Sequence, residues 1–205
     1  TSYDWMSKIY DIMAGSFERK HGETGVKLLA VTEGERVLEI GYGTGHAILA
    51  FAQSVGETGR VYGIDISEGM RNITLARIQK ASLSNRVFLE IGDAAKLPFD
   101  EKFFNAVFLS FTLELFDTPE IPIVLGECRR VLTNGGRICV VTLSRAKAGI
   151  MIRLYEILHE MLPSFIDCRP IFPKLSLKDS GFKIISSRRV SMWGIPVEII
   201  LARKK

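Results

Sequence analysis

Glu39-Ile40-Gly41-Tyr42-Gly43-Thr44-Gly45 is the stretch on which the fold turns. It overlaps the end of an apolar run, 37–41 (VLEIG), and precedes a segment of helical period, 46–55. Glycines let the backbone turn sharply, and they let a ligand approach the main chain with no Cβ in the way. A helix starting just behind them presents unpaired N–H groups and a positive dipole end to an anionic group. A lone pair of glycines would suit a plain strand-to-helix turn; three in alternation after a buried strand point to a ligand loop.

Outward from this loop the chain alternates. Short apolar runs recur at 61–66 (VYGIDI), 87–91 (VFLEI), 106–111 (AVFLSF) and 137–143 (RICVVTL). Runs this short and this continuous suit strands buried on both faces of a parallel sheet. Helical segments are expected at 46–55, 68–82 and 119–132. Met70, Ile73, Ala76 or Arg77, and Ala81 form the apolar stripe of the second. Pro119 marks the start of the third, and Asn134-Gly135-Gly136 turns the chain into the next strand. Strand–helix–strand repetition gives right-handed crossovers and an open α/β sheet with helices on both sides. Beyond Leu143 a long helix is expected at 146–162, then prolines at 163, 170 and 173 and a short helix at 175–180 closed by Gly181. Strands at 182–190 and 197–203, joined by a tight link, read as an antiparallel hairpin at one end of the sheet.

The whole composition agrees with one folded domain. The chain has 205 residues, 47% hydrophobic and 24% charged, which excludes disorder, collagen and coiled coil. No run reaches the ~18 apolar residues of a membrane span, and residues 1–20 lack the uninterrupted apolar core of a signal peptide. The net charge of +4 permits an anionic ligand, membrane surface or nucleic acid and demands none of them. Cys128, Cys139 and Cys168 have no CxxC spacing and read as free, buried thiols of a reducing cytoplasm. His21, His46 and His159 share no spacing with them, so no metal is expected.

Two carboxylates sharpen the ligand. Asp65 ends the second strand about 20 residues beyond Gly45, where an acid accepts hydrogen bonds from both ribose hydroxyls. Asp93, in Gly92-Asp93-Ala94 after the third strand, is placed either to take an adenine amino group or to cap a helix. Glycine, acid and acid at three strand ends suit an adenosine bearing a charged group. A dinucleotide fingerprint would place glycine where His46 stands, and no GxxxxGK[ST] phosphate loop exists. Glu39 would repel phosphates but hold a water or an ammonium near the loop.

EIGYGTG, GIDIS with Met70 close behind, GDAAKLPF, LSFTLELF and GECRRVLTNGGRICVV together resemble the class I S-adenosylmethionine-dependent methyltransferases. More narrowly, the chain resembles the methyltransferase type 11 branch, which holds the ubiquinone/menaquinone C-methyltransferases and bacterial phospholipid N-methyltransferases. The resemblance is strong over 37–144. It implies a Rossmann-like, doubly wound, seven-stranded sheet, mostly parallel with an antiparallel last strand. It implies S-adenosylmethionine as cofactor, with S-adenosylhomocysteine as product. Gly41, Gly43 and Gly45 would pack against the methionine part, with Glu39 supporting the loop. Asp65 would hold the ribose, and Ile66 and Met70 would flank the adenine. Asp93 would take the adenine amino group, beside Gly92 and Ala94. Ser110 and Phe111 would face the sulfonium and the acceptor. Tyr42 stands where the family usually has a small residue.

One domain, 1–205, is then expected to comprise an N-terminal helical lid or cap (1–30), a cofactor-binding core (34–144), a helical insert supplying the acceptor pocket (145–181) and a C-terminal strand pair (182–205). The N-terminal segment reads equally as a core-packing helix. The acceptor is expected to be small or lipophilic, quinol-like or phospholipid-like, held by a cytoplasmic protein with a peripheral membrane contact through the insert as one option. No His–acid pair is placed as a general base; Tyr10, Glu114 and His159 are the candidates. Two alternatives stand beside this reading. An RNA methyltransferase is disfavoured by spread basic residues and the lack of a base-flipping motif; the other is a non-catalytic cofactor-binding protein.

Overall fold

The computed structural model describes residues 17–145, 169–192 and 194–205. Tyr10, His159 and Cys168, with the long helix expected at 146–162, lie outside the described residues.

A first helix, α1, occupies residues 17–29. It is followed by β1 (Arg36–Ile40), α2 (His46–Ser54), β2 (Arg60–Asp65), α3 (Glu68–Lys80), β3 (Val87–Ile91) and β4 (Phe104–Ser110). A 3-10 turn at Leu113–Leu115 leads to α4 (Ile121–Val131) and β5 (Leu132–Leu143). The described chain ends in α5 (Pro173–Asp179), β6 (Phe182–Met192) and β7 (Ile195–Lys204).

The strands form one seven-stranded sheet in the order β3-β2-β1-β4-β5-β7-β6. The β1–β2, β2–β3, β1–β4 and β4–β5 pairs are parallel. The last strand, β7, runs antiparallel to both β5 and β6 and slots between them. Only two residues, 193 and 194, link β6 to β7, too few for the crossover that parallel pairing needs. Strand order reverses between β1 and β4, and in open α/β sheets a ligand crevice forms beyond the carboxyl ends of strands at that reversal.

Period-two alternation splits the core into two layers. Val37, Val61, Phe108 and Val141 face Leu29 of α1, Phe51 of α2 and Ile78 of α3. Leu38, Ile64, Leu109 and Val140 face Val124 and Leu125 of α4 and Leu177 of α5. Nearly every one of these side chains is fully buried, as a parallel sheet covered on both faces requires. Cys128 and Cys139 sit within the two layers, and burial pushes both thiols up to about 12, so they are inert.

α1 is set hard against the sheet. A Cβ on Gly25 would collide with Val141 and Phe108, and one on Gly22 would crowd Ser110. Its last turn is tied down by Arg137 at the start of the core ladder of β5, whose guanidinium donates to the Leu29 and Ala30 carbonyls and pairs with Glu35 at 2.7 Å. α1 therefore runs from the carboxyl-end rim of β4 down to the opposite edge.

Several boundaries move, each for a packing reason. Met192 and Ile195 are buried and pair with one another, so the hairpin link shrinks from 191–196 to 193–194. α4 starts at Ile121 with Pro122 in its first turn, while Pro119 belongs to the preceding turn. Leu132 already pairs with Phe104, so Asn134-Gly135-Gly136 bulges out of β5 rather than preceding it. The stripe expected on α3 is on the wrong side. Its buried residues are Thr74 and Ile78, whereas Met70 and Ile73 are exposed.

Candidate functional site

The loop after β1 is built from three left-handed glycines, with φ of 69° at Gly41, 48° at Gly43 and 80° at Gly45. What surrounds them differs. A Cβ on Gly41 would run into the Thr112 side chain, and one on Gly45 into Thr74. A Cβ on Gly43 would meet nothing within 4 Å among the described residues. Two glycines are thus backed by threonines, and the middle one presents bare main chain to open space at the strand-order reversal.

The loop is held rigid from several sides. Gly41 N–H donates to the Ile64 carbonyl at 2.8 Å, and Gly45 N–H to the Tyr42 carbonyl at 2.8 Å. Thr74 donates its hydroxyl to the Gly43 carbonyl at 2.8 Å, and Arg77 donates to the Thr44 carbonyl at 2.8 Å. Arg77 also lies 3.1 Å from His46 Nε2, and burial with the nearby Arg77 charge holds the imidazole below its usual value. Tyr42 turns inward and is 3% exposed. It fits because β2 carries Gly63 there, where a Cβ would strike the Tyr42 ring. The bulky residue therefore leaves the mouth of the loop open.

Asp65, at the end of β2, faces this loop. Its Oδ2 accepts from Gly43 N–H at 2.9 Å and its Oδ1 from Ser67 N–H at 2.9 Å. The Ser67 hydroxyl in turn caps α3 by accepting from Met70 N–H. The carboxylate is half-buried, so each oxygen keeps a lone pair free to meet a ligand hydroxyl. Ile66, the next residue, is 81% exposed, and Met70 and Ile73 are exposed beside it. Apolar side chains are thus left bare beside a polar centre. Gly92 N–H donates to the Asp65 carbonyl at 3.1 Å, which brings the β3 end to the same rim. Asp93 is exposed there, with Oδ1 accepting from Ala95 N–H at 2.8 Å, while Ala94 is buried on the α4 side.

Glu39, at the end of β1, is buried to 3% exposure, and its Oε2 has no hydrogen-bond partner among the described residues. Burial raises its carboxyl well above the usual range, and the nearby Asp65 charge raises it further; Ile48 N–H opposes both. Two acids at one loop disfavour a pyrophosphate and favour a cation.

On the other side of the reversal lies the exit of β4. Ser110 is half-buried, and the Phe111 side chain packs in the α1–α3 layer with its backbone at a left-handed φ of 51°. Thr112 donates its hydroxyl to the Ser110 carbonyl at 3.0 Å, which locks this exit to the loop through Gly41. Glu114 follows in the 3-10 turn, and its Oε1 accepts from Leu143 N–H at the end of β5 at 3.0 Å.

The structure therefore brings Gly41, Gly43, Gly45, Asp65, Ile66, Met70, Gly92 and Asp93 to one rim, with Glu39 beneath and Ser110 across. Thr74, Thr112, Gly63 and Ser67 were not legible as site residues. Only the mid-strand glycine of VYGID carried a signal, a missing side chain where a bulky neighbour needs room. Among the described residues no group of His, Cys, Asp and Glu is arranged to hold a metal ion.

Residues 1–167 match the ubiE/COQ5 methyltransferase family. The chain is 33% identical over 154 residues to the ubiquinone/menaquinone biosynthesis C-methyltransferase UbiE of Pseudomonas fluorescens, an overlap covering 75% of this chain and 58% of that protein. It is 34% identical over 140 residues to the demethylmenaquinone methyltransferase of Symbiobacterium thermophilum, covering 68% and 54%. The chain thus spans a little over half the length of these curated relatives. Among solved structures, a putative methyltransferase from Bacillus halodurans superposes with a TM-score of 0.75 at 19% identity, covering 89% of this chain and 97% of that one. The cyclase SpnF superposes with a TM-score of 0.70 at 22% identity, covering 87% and 80%. A cyclase and a methyltransferase on one architecture show that the fold alone does not name the reaction. Sequence likeness over most of its length goes further: the chain belongs to the ubiE/COQ5 methyltransferase family.

Proposed function

We propose that the protein moves a methyl group from S-adenosylmethionine to a ring carbon of a quinol-type acceptor. The observation that carries this reading is the rim itself: bare main chain at Gly43, beneath it a buried Glu39 oxygen with no partner among the described residues, and Asp65 beside it. Family membership supplies the class of reaction, and the relatives named for ubiquinone and menaquinone biosynthesis supply the acceptor class.

When bound, S-adenosylmethionine supplies an electrophilic methyl on a sulfonium. The residues present fit it. Gly43 gives the methionine part room to lie on the main chain. Glu39 has an orphaned oxygen and an acidic neighbour, an environment completed by an ammonium group. Asp65 would accept from the ribose hydroxyls, Ile66 and Met70 would flank the adenine, and Asp93 would receive its amino group. Ser110, across the reversal, faces the methyl and the acceptor. Methyl transfer is an in-line displacement, so alignment and water exclusion are the main contributions, and orientation supplies up to about 7–11 kcal/mol.

No helix among the described residues is long and apolar enough to cross a membrane. We place the protein in the cytoplasm, meeting a lipophilic acceptor at the membrane surface. Incubating the chain with methyl-labelled S-adenosylmethionine and a demethylated hydroquinol, kept reduced, tests the reading. Label is expected on a ring carbon with equimolar S-adenosylhomocysteine. Label on RNA, or on no acceptor while the cofactor binds, would overturn it.

A further inference from the structure

We propose that Glu114 is the base that takes the hydroxyl proton of the acceptor, so that the acceptor is a protic ring such as a hydroquinol rather than a tertiary amine or a thioether. This rests on the methyl-transfer reading of the rim.

The placement comes first. Glu114 lies four residues beyond Ser110, in the turn Leu113–Leu115. That turn is fastened to the glycine loop by Thr112, which fills the space behind Gly41 and donates to the Ser110 carbonyl. The side chain then reaches across to β5, where Oε1 accepts from Leu143 N–H at 3.0 Å. Its carboxyl therefore sits between the exits of β4 and β5, one strand from the glycine loop.

Its state is unusual. Glu114 is 1% exposed, and Oε2 has no hydrogen-bond partner among the described residues. Buried polar atoms are almost always paired, and the exceptions ask for a reason. A ligand O–H is the donor this oxygen lacks. Each element packed around the carboxyl contributes a group that faces it. β5 offers the Thr142 hydroxyl and Leu143 N–H, its own turn offers the Glu114 N–H, and α1 offers Glu18. Arg169 donates its main-chain N–H to the Glu114 carbonyl, and His21 is buried one turn along α1 from Glu18. Burial pushes Glu114 up to about 7, against the Leu143 N–H bond and the nearby Glu114 N–H and Thr142 hydroxyl, and the Glu18 charge adds to the rise. Both protonation states are then populated near neutrality, where a general base works best.

The chemistry needs such a group. A hydroquinol carbon is a weak nucleophile until the neighbouring hydroxyl is ionised. The O–H bond breaks, with its proton passing to Glu114 Oε2. The electron pair left on oxygen is delivered into the ring, whose carbon forms the new C–C bond as the donor's C–S bond breaks and sulfur keeps that pair. The ring C–H proton then leaves to water as the ring rearomatises, the phenolate oxygen takes its proton back from Glu114, and one proton is released in all. An unprotonated amine or a thioether has no proton to surrender before attack and leaves this base without a task.

The test uses the full chain, S-adenosylmethionine and two reduced acceptors. One is a simple demethylated hydroquinol; the other bears electron-withdrawing substituents and is already ionised at the assay pH. With the simple acceptor, wild-type kcat/KM should rise with pH and level off near 7. Glu114→Gln should keep S-adenosylhomocysteine affinity within threefold, lose about 10²–10⁴-fold in kcat and lose the inflection. The ionised acceptor should restore the variant to within tenfold of wild type, which a merely structural defect would not allow. A Gln variant with wild-type kcat, an equal deficit on both acceptors, or a wild-type rate flat between pH 6 and 8 would overturn the assignment while leaving the methyl-transfer reading intact. A wild type that methylates no hydroquinol would bring down that reading and this one with it.

Discussion

Replacing Gly43 by valine is expected to abolish cofactor binding while the protein stays folded. A Cβ at this position meets no atom of the described residues within 4 Å, so the substitution starts with no clash inside the loop. Its folding cost is the left-handed φ of 48°, roughly 1–2 kcal/mol for a residue with a Cβ. The side chain then occupies the space through which a ligand reaches the main chain. Pushing the methionine part off the backbone should weaken S-adenosylhomocysteine binding by at least about 100-fold, close to 3 kcal/mol. Gly41→Ala should do the reverse in kind. Its Cβ collides with Thr112 behind the loop, so the damage appears first as a lowered melting temperature. Thermal melts and ligand titrations on the two variants separate a ligand-facing glycine from a packing glycine. Equal losses of stability and affinity in both would contradict that distinction.

Glu114→Gln is expected to stabilise the protein by an amount that grows as pH rises from about 4.5 to about 7. The folded-state carboxyl titrates near 7 against an ordinary 4.5. A carboxyl raised in this way favours folding while protonated. That contribution is complete below about pH 4.5 and is lost as pH rises through about 7. By pH 8 the ionised, buried group has forfeited roughly 3 kcal/mol. Glutamine keeps an oxygen for Leu143 N–H and carries no charge, so it escapes this loss. The variant should melt close to wild type at pH 5 and roughly 6–12 °C above it at pH 8. Glu39 pulls the wild type in the same direction, and Glu35 and Glu127, held low by Arg137 and Arg130, pull it in the other. The comparison of variant with wild type cancels all three. A melting difference that does not change between pH 5 and pH 8 would refute the buried, charge-averse state of this residue. A group that costs stability at working pH is a common mark of function.

The parallel core was legible because its signals are local. The run 37–41, the alternate glycines and the acid at the end of 61–66 each leave a mark in consecutive residues, and each lies at the rim the structure builds. The hairpin was legible for the same reason. Its insertion was not: which strand β7 pairs with depends on Val197 and Ile199 finding the α1–α3 layer, a contact between distant parts of the chain. The face of α3 was misjudged for an instructive reason. Met70 and Ile73 carry the apolar period, yet they stand bare at the rim with Ile66. Thr74, polar and unremarked, is the residue that packs beneath Gly45 and holds the Gly43 carbonyl. Periodicity identifies an apolar face without saying whether core or ligand will cover it. Asp65 shows a second limit. Its place at the end of the second strand could be read from the sequence, but its grip on Gly43 N–H and Ser67 N–H could not, because those partners are set by the tertiary turn.

That double engagement makes Asp65 the sharpest probe of the central claim, that this rim holds an adenosyl sulfonium. Calorimetric titration of the wild type and Asp65→Ala with S-adenosylhomocysteine decides it. The wild type should saturate at one site, and the variant should bind about 10- to 150-fold more weakly, as the loss of hydrogen bonds to a charged group requires. A wild type that takes up no ligand, or a variant that binds as tightly as wild type, would contradict the account.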